Sequence, residues 1–448
     1  MSDLLHTQLP VVVIGAGPTG LAAAAHLRSR DLDVVVLESG SSAGAAVSEW
    51  GHVRLFSPWS ELIDPAAEKL LADAGWSAPN LERYPTGSDW VGSYLQPFAD
   101  VLGDAVRYDT TVTGVAKQGR DRLVSSGRDD AAFTVHVRTV DGVGHVVARA
   151  VVDASGTWTG PNPLGGDGVP ALGEIEAADR ISYRMPNLVE PEARARYTGK
   201  HVVVAGTGAS AKGVLIALTT LAKEEPSTRI TWLVRRANIS DTFAGSGQDE
   251  LPERGALGRR AQEAVASGPV TTLNGFRTAK VTKDASGSLT IESFDGQSVD
   301  NVDEVVVLTG FRPDLSILSE VRLDLDPVLQ APRELAPLID PNEHSCGTVY
   351  PHGAKELAQP ETGFYLVGMK SYGRATSFLA LTGFEQTRSV AAAIAGDHEA
   401  AARVELTLPD TGVCGGSGLF DEETAEGGGC CGAPAATELI TIGRPTSL

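Results

Sequence analysis

Two glycine-rich turns, Gly15-Ala16-Gly17-Pro18-Thr19-Gly20 and Gly206-Thr207-Gly208-Ala209-Ser210-Ala211, stand about a domain length apart in this 448-residue chain. The apolar runs before them, residues 9–14 and 201–205, read as buried parallel strands, and the stretches after them read as helices. In such a turn the first glycine permits the tight bend and the second lets a pyrophosphate approach the helix N-terminus. The third allows helix and strand to pack closely, a place that Ala211 takes in the second turn. Two turns of this kind imply two dinucleotides. The expected fold class is therefore α/β, with two Rossmann-like dinucleotide-binding domains.

The residue ending the next strand distinguishes the two sites. After the first turn the run 33–37 ends in Glu38, where a carboxylate accepts hydrogen bonds from an adenosine ribose and repels a 2′-phosphate. That site suits FAD or NAD. After the second turn the run 229–234 ends in Arg235-Arg236, which can grip a 2′-phosphate by charge-assisted, bidentate bonds, unless the pair is merely a solvated charge pair. The contrast assigns FAD to the first site and NADPH to the second.

At this point the chain resembles the flavoproteins with two dinucleotide-binding domains, the group of thioredoxin reductases and flavin-containing monooxygenases. Val151-Val152-Asp153-Ala154-Ser155-Gly156 matches the strand and turn with which such FAD domains resume. Val305-Val306-Val307-Leu308-Thr309-Gly310 repeats it, and Phe364-Tyr365-Leu366-Val367-Gly368 looks like the late FAD-domain strand. More narrowly, three segments resemble the flavin-binding monooxygenase-like proteins of actinobacterial arsenic-resistance operons. They are Trp50-Gly51-His52-Val53-Arg54-Leu55-Phe56-Ser57-Pro58-Trp59, His344-Ser345-Cys346-Gly347-Thr348 and Gly368-Met369-Lys370-Ser371-Tyr372-Gly373-Arg374.

The resemblance implies an NADPH domain, residues 195–312, inserted between FAD-domain segments 1–165 and 313–400, with linkers at 161–170 and 186–191 and a Cys/Gly-rich tail at 409–448. It also implies a helix over 375–396 aimed at the flavin, with Thr376 and Ser377 capping it or, on the plainer reading, an ordinary capped surface helix. Trp50, Arg54, Phe56, Ser57 and Trp59 would pass near the flavin or pack in the core. Two departures stand out. Many relatives place an acid after the late strand's glycine, where this chain has Met369-Lys370-Ser371, leaving the ligand contact to Ser371 or backbone N–H groups. Residues 171–183 also lack the Phe-x-Gly-x-x-x-His monooxygenase motif.

The exit of electrons is less legible. No cysteine precedes Cys346, so the flavin-side cysteine pair of a disulfide reductase is missing. Cys346, near His344 and His352, is a candidate activated thiol or a buried small residue. Cys414, Cys430 and Cys431 sit in a Gly-rich tail that reads as a mobile arm for thiol exchange or soft metalloid capture, or as a disordered tail with incidental cysteines. No other metal site is expected. Three readings follow: a monooxygenase-like enzyme acting on a small arsenical or soft sulfur substrate, a thiol or metalloid reductase using the tail, and a non-catalytic metalloid-binding flavoprotein.

The net charge of −20, from 57 acidic against 37 basic residues, argues against nucleic acid or an anionic membrane as partner. No apolar stretch is long enough to span a bilayer and no leader segment is evident, so a cytoplasmic protein is expected, as a possible homodimer.

Overall fold

The computed structural model describes residues 8–243, 252–341, 352–375 and 378–405. Two five-stranded parallel sheets carry the fold. In the first, β1 (Val11–Ile14) lies between β2 (Val34–Leu37) and β7 (Ala150–Asp153). Short β3 (Val106–Arg107) and β16 (Phe364–Leu366) close its edges, giving the order β16-β7-β1-β2-β3. Because side chains alternate along a strand, β1 feeds two cores. Val11 and Val13 pack with the helix Pro18–Arg28, whereas Val12 and Ile14 face an antiparallel sheet of β4 (Thr111–Lys117), β5 (Phe133–Thr139) and β6 (Gly142–Ala148).

The second parallel sheet repeats this plan. It contains β8 (Ile181–Ser182), β9 (His201–Ala205), β10 (Arg229–Leu233), β11 (Val270–Leu273) and β15 (Glu304–Val307), in the order β11-β10-β9-β15-β8. Val202 and Val204 pack under the helix Ala209–Glu224, while Val203 and Ala205 face the antiparallel strands β12 (Thr278–Lys283), β13 (Leu289–Ser293) and β14 (Ser298–Val302).

The chain passes between the two units twice, at Pro161 and Phe311, and the crossings form an antiparallel bridge. Asn162 N–H donates to the Gly310 carbonyl at 2.9 Å and Arg312 N–H to the Gly160 carbonyl at 2.8 Å. Beyond the first crossing, residues expected as a linker, 161–170, join the second unit. Buried Glu174 holds them, accepting from the N–H groups of Leu164, Gly165 and Ala171 and from the Tyr183 hydroxyl at 2.6 Å. Leu164, Ala171 and Ile181 enter that unit's core, so it begins near residue 161 rather than 195.

A buried ion pair ties the loop before β5 to the late segment of the first unit. The Arg128 guanidinium donates to both oxygens of Glu361, with Nη2–Oε2 at 2.6 Å, and to the carbonyls of Asp121 and Glu320. Neither side chain is more than 2% exposed. Removing one partner strands a charge without water, so Glu361→Ala should cost about 3–5 kcal/mol, read as a lowered denaturation midpoint.

Candidate active site

Both glycine turns have the geometry a pyrophosphate needs. Gly15 has φ +98°, and a Cβ at Gly20 would lie 1.9 Å from the Gly15 carbonyl oxygen, so helix and turn touch there. A Cβ at Gly17 would meet nothing within 4 Å, which marks the open cradle. Gly17 occupies the N-cap position with no side-chain cap, Pro18 follows inside the first turn, and no acid lies nearby in that turn. The helix therefore offers unpaired N–H groups and a positive dipole end to an anion.

The second turn matches it. Gly206 has φ +121°, Gly208 is exposed with nothing within 4 Å of a Cβ, and Ala211 is fully buried against strand and helix. Thr207 and Ala209 are half-buried and Ser210 is exposed at an uncapped helix end.

Glu38 leaves its strand nearly buried. Its Oε2 accepts from Ala16 N–H at 2.7 Å and its Oε1 from Gly40 N–H at 2.8 Å, which fixes the carboxylate against the first turn. Arg235 and Arg236 follow β10, Arg235 exposed and Arg236 half-buried. Among the described residues no carboxylate pairs with either, and the buried Arg236 Nε has no partner. Two unpaired cations beyond the strand end suit a phosphate.

A second helix converges on the first cradle. The helix Ala380–Ile394 begins without a side-chain cap, and a Cβ at Gly383 would lie 2.8 Å from Thr19 Oγ1. Gly368, at φ +68°, approaches the same hydroxyl to 2.9 Å on that measure. Sequence reasoning missed Gly383, although its place in the first turn of a helix was the signal. The helix starts at Ala380 with Leu379 at the N-cap, so Thr376 and Ser377 do not cap it. Those two residues, with His344, Cys346, Cys414, Cys430 and Cys431, lie outside the described residues.

Ser371 is not available to a ligand. It is fully buried, its hydroxyl donating to the Gly368 carbonyl at 2.8 Å and accepting from Gln386 Nε2 at 2.9 Å. Gln386 also accepts from Gly368 N–H and contacts His352, so the polar atoms under the late strand satisfy one another. Lys370 is the residue that reaches toward the site. Its ammonium donates to Asp153 at 2.8 Å and to Ser155 Oγ at 2.9 Å, while Ser155 donates to Asp153 at 2.6 Å. This joins the ends of β7 and β16 beside Gly156, which turns at φ +70°. The acid of many relatives is thus absent, and an internal cation pairs with an acid on the neighbouring strand. Lys370→Met should cost about 3–5 kcal/mol in thermal stability, and adding Asp153→Asn should restore most of it.

A cleft of about 520 Å³ lies between the units. Ser48, Glu49, Gly51, His52, Thr86 and Ser88 line it from the first unit, Met185 and Asn187 from the second. Burial lowers the His52 imidazole from the usual histidine range, leaving it neutral at pH 7, and its Nε2 has no partner. The aromatic segment expected there is divided. Trp59 belongs to the core, Trp50 packs beside it, Ser57 is buried, Phe56 is half-buried, and exposed Arg54 donates to the Tyr84 carbonyl. Among the described residues, no cluster of three metal-ligating side chains occurs and no helix is long and apolar enough to cross a membrane.

Residues 12–346 match the family described as pyridine nucleotide-disulphide oxidoreductase. The chain belongs to that family. Membership places the chain in a family of flavin-dependent oxidoreductases. It is 25% identical over 244 residues to flavin-containing monooxygenase GS-OX-like 2 of Arabidopsis thaliana, covering 49% of each chain. It is 27% identical over 209 residues to indole-3-pyruvate monooxygenase YUCCA1 of Oryza sativa, covering 46% of this chain and 44% of that one. The chain thus spans about half the length of these curated relatives. In structure it is similar to the bacillithiol disulfide reductase of Bacillus cereus, with a TM-score of 0.62 and 22% identity over 87% of this chain and 99% of that one. That likeness establishes the two-domain fold expected from the glycine turns.

Proposed function

We propose that the protein is an NADPH-dependent FAD oxidoreductase of monooxygenase type, acting on a small substrate held between the two units. The observation that carries this reading is the pair of open cradles, at Gly17 and Gly208, each at an uncapped helix end but followed by side chains of opposite charge. FAD, when bound, supplies hydride acceptance from NADPH and electron delivery to oxygen. The N–H groups after Gly17, with Pro18 and Thr19 at the turn, would hold the FAD pyrophosphate, and Glu38 would orient the ribose. Gly206 to Ala211 would do the same for NADPH, and Arg235 and Arg236 would hold its 2′-phosphate. The N-terminus of the helix Ala380–Ile394 would supply a positive dipole end beside the bound flavin.

The direction of electron exit rests on thiols. No cysteine occurs before Cys346, so neither the segment after Glu38 nor the second unit can present a cysteine pair to the flavin. The two curated relatives described above are named as monooxygenases, which supports this reading. The narrow resemblance to arsenic-operon proteins directs the choice of substrate toward trivalent arsenicals and thioethers.

Anaerobic titration tests the reading. NADPH should bleach the flavin absorbance far faster than NADH, and air with an organoarsenical or thioether should restore the colour with substrate-dependent oxygen uptake. Oxygen uptake indifferent to every such substrate would overturn the monooxygenase assignment. Turnover lost on truncation at Pro409 would transfer electron exit to Cys414, Cys430 and Cys431.

A further inference from the structure

Beside the interdomain cleft lies an arginine whose hydrogen-bonding capacity is poorly used. Arg184 follows β8 in the second unit, directly before the cleft residue Met185. Its guanidinium carbon lies 4.1 Å from the centre of the Trp158 ring and 5.3 Å from that of Phe311. Trp158 and Phe311 are themselves packed at 5.0 Å, beside the two chain crossings. A guanidinium lying over an aromatic ring is fixed in place and shielded from water on one face, while its N–H groups remain directed outward in its plane.

Those N–H groups are unevenly occupied. Nη2 donates to the Trp158 carbonyl at 2.6 Å, and Nη1 makes a long bond of 3.4 Å to the Tyr183 carbonyl. Nε faces Glu49 at 3.8 Å, too far for a hydrogen bond. Glu49 lines the cleft, and its side chain is 59% exposed, so the pair is loose and solvated. The neighbouring indole Nε1 of Trp158 is buried and has no partner. The surroundings therefore contain a positioned cation, an unused neutral donor, and one weakly held carboxylate at the cleft wall.

We propose that Arg184 anchors a carboxylate or other oxyanion of the substrate at the cleft, in the place where Glu49 now faces it. The proposal rests on the cleft being the substrate's site. It makes Arg184 a specificity-determining residue and makes Glu49 an internal competitor that disfavours weak anions. Of the other cleft side chains, His52 is neutral and Ser48, Ser88, Thr86 and Asn187 are uncharged, so Glu49 is the cleft-lining charge the anion must displace.

The test uses the FAD-loaded full chain without NADPH, with phenylacetate as probe and neutral phenylacetamide as control, titrated by calorimetry at constant ionic strength. Phenylacetate should bind better than phenylacetamide. Arg184→Met should weaken phenylacetate about tenfold and Glu49→Gln should strengthen it, both leaving phenylacetamide unchanged. Arg184→Lys, which keeps the charge and loses the planar fork, should fall between. Should Arg184→Met fail to fold, the gain in Glu49→Gln decides alone. The proposal is overturned by no preference for phenylacetate, by indifference to both substitutions, or by NADP+ competing with phenylacetate while Arg184→Met weakens NADP+ instead. Bleaching of the wild-type flavin by NADPH is measured separately, so failure of the oxidoreductase reading shows there and not in the anion titration.

Discussion

Gly17→Val should give a protein that folds and carries almost no FAD. The residue sits in an extended conformation, φ −79° and ψ −176°, which valine adopts readily, and its Cβ would meet no protein atom within 4 Å. The added side chain fills only the space a pyrophosphate would use. FAD affinity should fall by about a hundredfold, the equivalent of about 3 kcal/mol of overpacking and lost bonds at the helix end. Circular dichroism should match wild type while the ratio of flavin to protein absorbance collapses. Gly20→Ala supplies the contrast. Its Cβ would stand 1.9 Å from the backbone oxygen of Gly15, so helix and turn must separate and the protein itself should lose stability. A Gly17→Val protein that retained full flavin would remove the first turn from the cofactor site.

The second large effect concerns the choice of nicotinamide cofactor. Arg235→Ala combined with Arg236→Ala removes two cations that have no acid partner among the described residues, so little stability should be lost. Each charge-assisted bond to a 2′-phosphate contributes about 1.5–3 kcal/mol, and loss of the pair should lower kcat/KM for NADPH by about a hundredfold or more. The value for NADH should hold. Anaerobic flavin reduction measures both without knowledge of the substrate. Equal losses for the two nucleotides would show that the arginines act on folding or on a shared part of the nucleotide.

The parts of the fold legible in the sequence are those governed by local rules. Glycine spacing, the apolar strands and the charge that ends each second strand are short-range signals, and they located both parallel sheets. The remainder depends on residues far apart in the chain. Lys370 and Asp153 are separated by 217 positions, and nothing near Lys370 shows that it lies inside the protein. The same holds for Ser371, whose hydroxyl is occupied by Gln386 from 15 positions along the chain. Glu174 was hidden for another reason. It lies just past the Gly- and Pro-rich stretch 161–170 that reads as linker, yet this single carboxylate satisfies three backbone N–H groups and organises that stretch. Within one motif Gly51 and His52 line the cleft, while Trp59 belongs to the core and Trp50 packs against it.

The two crossings at Pro161 and Phe311 bear on how such a chain is assembled. Since the strand leaving the first unit and the strand returning to it are hydrogen-bonded neighbours, the intervening 150 or so residues (about a domain's length) close a loop whose ends already touch. The first unit can complete its sheet by joining β7 to β16 without regard to what lies between. The second unit is thus built as a cassette, exchangeable for another unit with the same end spacing.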